Sequence, residues 1–389
     1  MIELVLICSF VTICLFFYNE FCAYYFMKKP EVYTKTRSFL YEDLTQHCQT
    51  LTKPYVPTFW ASNRHLQTWL KTLVSFQEIP QISTVREYLQ MEDNGIVSID
   101  WVSKADSETI NIRPTTPNKR RMKKKSVTTK SKPILLIIPN TLNTRVEDYS
   151  HLCISAYNKG FKPVFFNRRG YSGTLLTTPK ITTYCDRLDL QETLLYVKNQ
   201  FPFSDIYAIA FSMESGNLIS YLGHEKEASK IAGAVCISST FGCENHLDNN
   251  HALKQPYNYI ITEKIKTILQ NDVVFGETFG KVNVNDCHTM VELQNEIHAR
   301  SNHYETLNEY LKYNSPLTHL NRIKVPVLFI QAKDDPVISQ HSIPYEFFAM
   351  SEECILITTE HGGHCGFFQN IAPSSWADQT ALDLSLIHI

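Results

Sequence analysis

The chain has 389 residues, of which 43% are hydrophobic and 12% aromatic, and its net charge is -2. This length suits one large α/β domain with an insertion, or two small domains. The near-neutral charge argues against a nucleic-acid-binding protein, so we expect no nucleic-acid partner. Eleven cysteines without a C-x-x-C pair indicate free thiols in a reducing compartment rather than a disulfide framework.

The chain begins with an apolar tract. Residues 2–18 are almost wholly apolar, with Glu3 as their one charged residue, and residues 21–27 extend the tract. A membrane span needs about 20 such residues, and the acidic start is unlike that of a cleaved signal peptide. Two lysines follow the tract and nothing basic precedes it, which places the body on the cytosolic side. We therefore expect an uncleaved single-pass signal-anchor at residues 1–29, in the endoplasmic reticulum or another endomembrane.

Two segments precede the main apolar strands. Residues 30–87 are aromatic and proline-bearing, and we interpret them only as an N-terminal extension. From residue 88 to 101 the chain alternates apolar and polar residues around Asp93-Asn94-Gly95, which predicts an antiparallel hairpin.

A basic run lies at residues 113–132, which contain nine basic residues and no acid. Such a run is most often a solvated, disordered loop. Contact with an anionic cytosolic leaflet is the next interpretation, since an anchored protein could reach one. A nuclear import signal fits least well with a membrane anchor.

Short apolar runs alternate with helical patterns through the rest of the chain, which predicts a mostly parallel sheet with helices on both faces. The predicted strands are residues 133–138, 163–166, 206–211, 231–238, 325–331 and 354–358, and the predicted helices include residues 149–159 and 189–199. Between residues 241 and 320 the strand pattern lapses and helical periodicity dominates. This segment has the size and place of a helical cap inserted above the sheet.

Ser212 follows a buried strand and precedes a helix, which is the setting of a nucleophile elbow. The usual pattern is G-x-S-x-G, but Ala210 and Glu214 stand at the two glycine positions. Ser215 fits less well, because Met213 and Asn217 would then occupy the crowded positions. Alone, the motif does not separate a nucleophile from an ordinary serine in a strand-to-helix turn.

Two further segments supply partners for Ser212 in the order Ser, Asp, His. Asp335 follows one predicted strand and precedes a Pro-Val step, whereas Asp334 is one place early. His364 follows the last strand and two glycines, which let the backbone approach closely. His361 and His364 could also be read as a metal cluster, but no further ligand spacing supports it, so we expect no metal and no cofactor.

An oxyanion hole needs two backbone N–H groups near the serine. We expect these from Met213 and from Thr141, in the loop after the strand at 133–138. Asn140 stands in that loop where a glycine is often found. Glu214 must either turn out toward solvent or distort the elbow, and if it turns out, the helix dipole favours its charge. On this hypothesis Glu214→Gly modestly raises activity.

Several short motifs together resemble the AB hydrolase 4 family, membrane-anchored α/β-hydrolase-domain proteins that include medium-chain phospholipase and acylglycerol lipase members. The motifs that carry the resemblance are His65-Leu66-Gln67-Thr68, Phe166-Asn167-Arg168-Arg169-Gly170, Leu176-Thr177-Thr178-Pro179, Phe211-Ser212-Met213, Tyr221-Leu222-Gly223, Tyr313-Asn314-Ser315-Pro316, Asp334-Asp335-Pro336 and His361-Gly362-Gly363-His364. The resemblance covers roughly residues 55–370. It implies an α/β-hydrolase fold and a lipid serine esterase with Ser212, Asp335 and His364 as triad. The chain departs from the pattern at Ala210, Glu214 and Asn140.

Three functions remain open at this stage. The first is a membrane-bound hydrolase of acylglycerol or phospholipid esters, acting through an acyl-enzyme. The second is a catalytically impaired relative that binds a lipid or steroid-like ligand, and the third is a hydrolase-fold acyltransferase. The expected division of the chain is an anchor at 1–29, an extension at 30–87, a hydrolase core at 88–240 and 321–375, a cap at 241–320 and a tail at 376–389.

Overall fold

A computed structural model of the chain describes residues 11–12, 14–15, 18, 21, 28–35, 40–42, 46, 48–73, 80–105, 132–141, 144–178, 180, 185–242, 255–270, 284–299 and 304–385. The described strands are β1 Glu31–Tyr33, β2 Ile82–Gln90, β3 Ile96–Lys104, β4 Ile134–Ile138, β5 Lys162–Asn167, β6 Ile206–Phe211, β7 Ile231–Ile237, β8 Val327–Ala332, β9 Cys354–Thr359, β10 Phe368–Gln369 and β11 Ser374–Ser375. Nine of them form one sheet in the order β1-β9-β8-β7-β6-β4-β5-β3-β2. Strands β4 to β9 are parallel, whereas β1, β2 and β3 pair antiparallel at the edges.

Helices connect these strands. The described helices are α1 Gln49–Thr52, α2 Arg64–Leu73, α3 Ser150–Asn158, α4 Leu188–Gln200, α5 Glu214–Glu225, α6 Gln255–Gln270, α7 Met290–Leu293, α8 Leu307–Tyr313, α9 Leu317–Leu320, α10 Tyr345–Met350 and α11 Trp376–Ser385. A π-helical segment, Gln294–Ala299, continues α7. The described part of the predicted cap is therefore helical.

The core consists of two apolar layers, one on each face of the sheet. Side chains of β4 alternate between them, because successive residues of a strand point to opposite faces. Leu136 packs in one layer with Leu218 of α5, and Leu135 packs in the other with Leu152 of α3 and Trp376 of α11. Strands buried on both faces explain why the apolar runs are nearly continuous in the sequence.

The predicted fold class is confirmed: the sheet is mostly parallel, helices cover both faces, and the arrangement is that of an α/β hydrolase. The hairpin is also present as β2 and β3, and Asn94 in its turn has a φ of 66°. Strand β2 starts at Ile82, earlier than the sequence pattern indicated.

The proposed division into domains stays a prediction, but two of its outlying segments contain elements that pack with the hydrolase core. Strand β1 lies within the expected extension and pairs with β9, so this part of the chain joins the sheet. Helix α11 lies within the expected tail, and its Trp376 and Leu382 are buried in the core. Strand β1 could not be predicted from its own sequence, because it is defined by its pairing with β9, more than 300 residues further along the chain.

Among the described residues, no helix combines the length and apolarity that a membrane span requires. The expected anchor at residues 1–29 falls mostly outside the described part of the chain and stays a prediction. The basic run also lies outside it, apart from Lys132.

Candidate active site

The three residues expected to form a triad each follow a parallel strand. β6 ends immediately before Ser212, β8 ends three residues before Asp335, and β9 ends five residues before His364. Because the carboxyl ends of parallel strands meet at one edge of a sheet, the loops that follow them converge. The structure brings all three side chains into one hydrogen-bonded group.

Ser212 lies in a strained turn between β6 and α5. Its φ is 56°, in the left-handed region that serine rarely adopts. The turn is held because the Ser212 N–H donates to the Ile237 carbonyl of β7 at 2.8 Å. This conformation points the hydroxyl above the sheet, and Oγ lies 2.7 Å from Nε2 of His364. Backbone strain held by its surroundings is typical of functional sites.

The other ring nitrogen of His364 faces a fixed carboxylate. Nδ1 lies 2.9 Å from Oδ2 of Asp335, and both side chains are buried. The second oxygen, Oδ1, accepts the N–H groups of Val337 and Ile338 at 2.8 and 2.9 Å. Asp335 is therefore oriented by the backbone that follows it, and it in turn orients the imidazole.

Asp334 takes a different position from its neighbour. Its Oδ1 accepts the Gly363 N–H at 3.0 Å, and its Oδ2 lies 3.3 Å from Nδ1 of His361. Asp335, and not Asp334, faces the His364 ring. Within the described ranges, no three His, Cys, Asp or Glu side chains are grouped so that they could hold a metal ion.

The pKa of His364 is set by two opposing effects. Burial disfavours the charged ring and lowers its pKa, but the Asp335 carboxylate and Cys365 together raise that pKa well above the ordinary value. A histidine in this environment is a stronger proton acceptor than an isolated imidazole, which suits a general base.

The expected oxyanion donors lie at the same edge of the sheet. Strands β4 and β6 are parallel neighbours, with Ile138 opposite Ala210. Thr141 and Met213 each follow these positions by three residues, and Thr141 is buried. The N–H of Asn140 donates to the Tyr149 hydroxyl at 3.0 Å, and Thr141 stays the predicted donor of this loop.

Glu214 does not turn out toward solvent, and that expectation is wrong. Its side chain is fully buried, with 0% exposed, and Oε1 lies 2.5 Å from Nη1 of Arg168, whose side chain is 2% exposed. Oε2 accepts a hydrogen bond from the Asn217 amide at 2.9 Å. The guanidinium also stacks 4.0 Å from the centre of the Tyr171 ring. Glu214 and Arg168 therefore form a buried ion pair next to the elbow.

Glu214 is buried rather than exposed because the guanidinium of Arg168, in the loop after β5, pairs with its carboxylate. Arg168 follows β5, which lies on the other side of β4 from β6. Burial raises the pKa of Glu214 above its ordinary value, and the opposing effects of Arg168 and Asn217 do not cancel this shift. Close packing in the elbow comes from Gly216, where an added Cβ would lie 3.3 Å from Pro316.

Three residues around the site had no role assigned from the sequence: Arg168, Gln67 and Thr68. Their motifs were noticeable only as parts of a resemblance. A signal for Arg168 was available, since a buried acid at the elbow needs a cation and two arginines follow a predicted strand. For Gln67 and Thr68 of α2 the glycines that flank His364 were the available signal, because glycines permit a close backbone approach.

Comparison with known proteins found no matching family model. The chain is similar to Protein ABHD15 of Homo sapiens, with 28% identity over 337 residues, 84% of this chain and 67% of the relative. It is 28% identical to Phospholipase ABHD3 of Mus musculus over 89% of this chain and 80% of the relative. It is 22% identical to Monoacylglycerol lipase ABHD2 of Homo sapiens over 91% of this chain and 84% of the relative.

Among solved structures, an acetyl xylan esterase from Paenibacillus sp. R4 aligns with 86% of this chain and 92% of its own, at 15% identity and a TM-score of 0.45. The three sequence relatives likewise span most of both chains. The chain is an α/β-hydrolase-domain protein related to ABHD15, ABHD3 and ABHD2, as its motifs predicted.

Proposed function

We propose that the chain is a serine hydrolase that cleaves carboxylic esters of lipids. The observation that carries this proposal is the hydrogen-bonded path from Ser212 through His364 to Asp335, with heavy-atom distances of 2.7 and 2.9 Å. A hydroxyl beside a buried, carboxylate-oriented imidazole is the arrangement that activates a serine nucleophile.

In the first half of the reaction, Oγ of Ser212 attacks the ester carbonyl carbon while His364 Nε2 takes the hydroxyl proton. The carbonyl oxygen becomes an oxyanion, which the N–H groups of Met213 and Thr141 stabilise. Losing one such donor costs on the order of 10²–10³ in rate. The C–O bond then breaks, and the leaving alcohol takes the proton from His364, which leaves an acyl-enzyme.

In the second half, His364 removes a proton from water, and the hydroxide attacks the acyl carbon on Ser212. The tetrahedral intermediate collapses, Oγ regains a proton from His364, and the fatty acid leaves. Asp335 stabilises the imidazolium in both halves without itself taking the proton.

The lipid part of the proposal rests on two relatives whose names state an activity, Phospholipase ABHD3 and Monoacylglycerol lipase ABHD2. An acylglycerol or a phospholipid is therefore the substrate class to test first. Tyr257 of α6 lies in the expected cap, and its hydroxyl is 2.8 Å from Nδ1 of His65. The cap therefore contacts a residue near the proposed active site. We expect substrate head group and chain length to be selected by this insertion.

The alternative of a catalytically impaired lipid binder was motivated by Glu214 and Asn140. The buried pairing of Glu214 with Arg168 removes the first of these motivations, because the glutamate is accommodated without displacing Ser212 from His364. No described contact favours a binder over a hydrolase.

A fluorophosphonate probe on the purified full-length protein tests the proposal. We expect covalent labelling and turnover of monoacyl and diacyl esters, with both lost in Ser212→Ala. Ser215→Ala serves as the control for labelling, because it removes another buried hydroxyl of the elbow but keeps the Ser212 hydroxyl that the probe modifies. Ester turnover that survives in Ser212→Ala, or a folded wild type that is neither labelled nor active, would refute the proposal.

We also propose that the protein acts at an endomembrane, held there by residues 1–29. The support is the apolar tract in the sequence and the two lysines that follow it. A lipid hydrolase gains from such attachment because its substrate is confined to the same surface.

A further inference from the structure

Helix α2 carries the His-Leu-Gln-Thr motif and contacts the loop of the proposed base. Gln67 and Thr68 are 0% and 3% exposed, although both are polar. Polar side chains buried this deeply are retained when their hydrogen bonds are satisfied. Both face the segment that runs from His364 to Phe368.

Thr68 fixes the start of that segment. Its Oγ1 accepts the His364 N–H at 2.9 Å and donates its own proton to the Arg64 carbonyl at 2.8 Å. Because the hydroxyl proton is committed to Arg64, a lone pair of Oγ1 is left to receive the histidine N–H. The hydrogen bond therefore holds the backbone of the proposed catalytic residue itself.

Gln67 fixes the other end of the segment. Its Oε1 accepts the Phe368 N–H at 2.7 Å, and its Nε2 donates to the Ala61 and Phe368 carbonyls at 2.8 and 3.1 Å. One amide side chain thus meets both backbone groups of Phe368. Two adjacent residues of α2 hold the two ends of the loop.

The loop lies directly against α2, and only glycine permits this approach. A Cβ at Gly363 would lie 2.4 Å from the Arg64 carbonyl oxygen, and a Cβ at Gly366 would lie 2.5 Å from that of Gln67. Gly363 also has a φ of 58°. The glycines around His364 are therefore needed for docking on α2, beyond their part in the turn.

We propose that Gln67 and Thr68 are positioning residues, which set the place of the His364 ring relative to Ser212 through its backbone. This role rests on the proposed function and extends it to helix α2, which acts on His364 through its backbone. A displacement of about 1 Å at a reacting group costs up to about 10²-fold in rate. The 2.7 Å contact between Oγ and Nε2 leaves little room for such a displacement.

Thr68→Val tests the role, because valine keeps the shape of threonine and removes the hydroxyl. We expect kcat for ester hydrolysis to fall about 10–100-fold with KM nearly unchanged, and fluorophosphonate labelling to slow in parallel. Thr68→Ser restores the hydroxyl and should recover most of kcat. The pH midpoint of kcat/KM should move down in Thr68→Val, because a displaced ring loses part of the Asp335 interaction.

Thr193→Val is the matched control. Thr193 of α4 is also fully buried, and its Oγ1 donates to the carbonyl four residues earlier at 2.7 Å, as Thr68 does. We expect a similar loss of stability with unchanged kcat per folded molecule and an unchanged pH midpoint. Should Thr68→Val fail to fold, Thr68→Ala is assayed against the same control.

Two results overturn the proposal in distinguishable ways. An active wild type combined with a folded Thr68 variant that keeps normal kcat and the normal pH midpoint refutes the positioning role alone. A folded wild type that is neither labelled nor active refutes the proposed function and this role with it.

Discussion

Glu214→Gln is the most informative perturbation of the elbow. The variant keeps the size of the side chain and an oxygen that can accept the Asn217 amide proton, but it removes the charge opposite Arg168. The guanidinium then stays buried without a carboxylate, beside the Tyr171 ring at 4.0 Å. If the pair is ionic in the folded protein, its loss must appear as lost stability.

The structure determines the expected magnitude. The two side chains are 2% and 0% exposed and their nearest charged atoms are 2.5 Å apart, so water cannot screen or replace the missing partner. Removing one partner of a buried pair costs about 3–5 kcal/mol. Because glutamine still presents an oxygen to Arg168, we expect the lower end, about 3 kcal/mol. Crowding in the turn, taken alone, predicts that Glu214→Gly raises activity. Because this variant also leaves Arg168 without its carboxylate, we expect it to lower the stability of the fold at least as much as Glu214→Gln.

Urea unfolding followed by circular dichroism measures this cost, and ester turnover is measured on the folded fraction. Asp189→Asn is the matched control: Asp189 and Arg169 are equally buried and joined at 2.7 Å, but Arg169 also contacts the hairpin turn at Asp93 and not the elbow. Both variants should lose stability. Only Glu214→Gln should also lower kcat per folded molecule, because helix α5 and the Met213 N–H depend on the elbow.

A double variant separates charge loss from packing loss. Replacing both partners, as in Arg168→Met with Glu214→Leu, leaves no buried charge, and such replacements are often neutral or stabilising. We expect the double variant to be more stable than Arg168→Met alone. The reasoning is refuted if Glu214→Gln unfolds within about 0.5 kcal/mol of the wild type, a change of the size typical for a neutral surface site, because the carboxyl is then uncharged or contributes nothing.

The remaining predictions concern the base, its titration and the membrane. His364→Ala should reduce ester turnover to the level of Ser212→Ala, since the effects of residues that act as a unit are non-additive. His361→Ala should keep most of the activity, and equal losses in the two histidine variants would indicate a structural cluster instead. Asp335 raises the pKa of His364, and only the neutral ring accepts a proton, so ester turnover should rise with pH with a midpoint above about 6.5. Asp335→Asn should lower that midpoint, and a midpoint that does not move contradicts the pairing of Asp335 with His364. By the same linkage, the pair stabilises the fold fully below about pH 6.5 and loses this contribution as the pH rises through the raised pKa, which urea unfolding across the pH range can follow. Deleting residues 1–27 should abolish carbonate-resistant membrane binding, and binding that persists places the anchor elsewhere.

The sequence alone determined the parallel strands of the sheet and the order of the site residues. Strands such as β4 and β6 are buried on both faces, so their sequences are apolar throughout and could be recognised without a partner. Each residue of the predicted triad lies within five residues of the end of such a strand, and the carboxyl ends of parallel strands share one edge. The convergence of Ser212, Asp335 and His364 therefore followed from local patterns alone.

Only the tertiary structure decided what surrounds these residues. Glu214 was expected to turn out toward solvent or distort the elbow because the turn is crowded, but Arg168 reaches it from the loop of another strand and pairs with it. Thr68 and His364 are 296 residues apart in the chain, yet they share a hydrogen bond. Such contacts depend on how loops and helices lie across the sheet, and no periodicity or spacing within one segment encodes the partner of a side chain that distant.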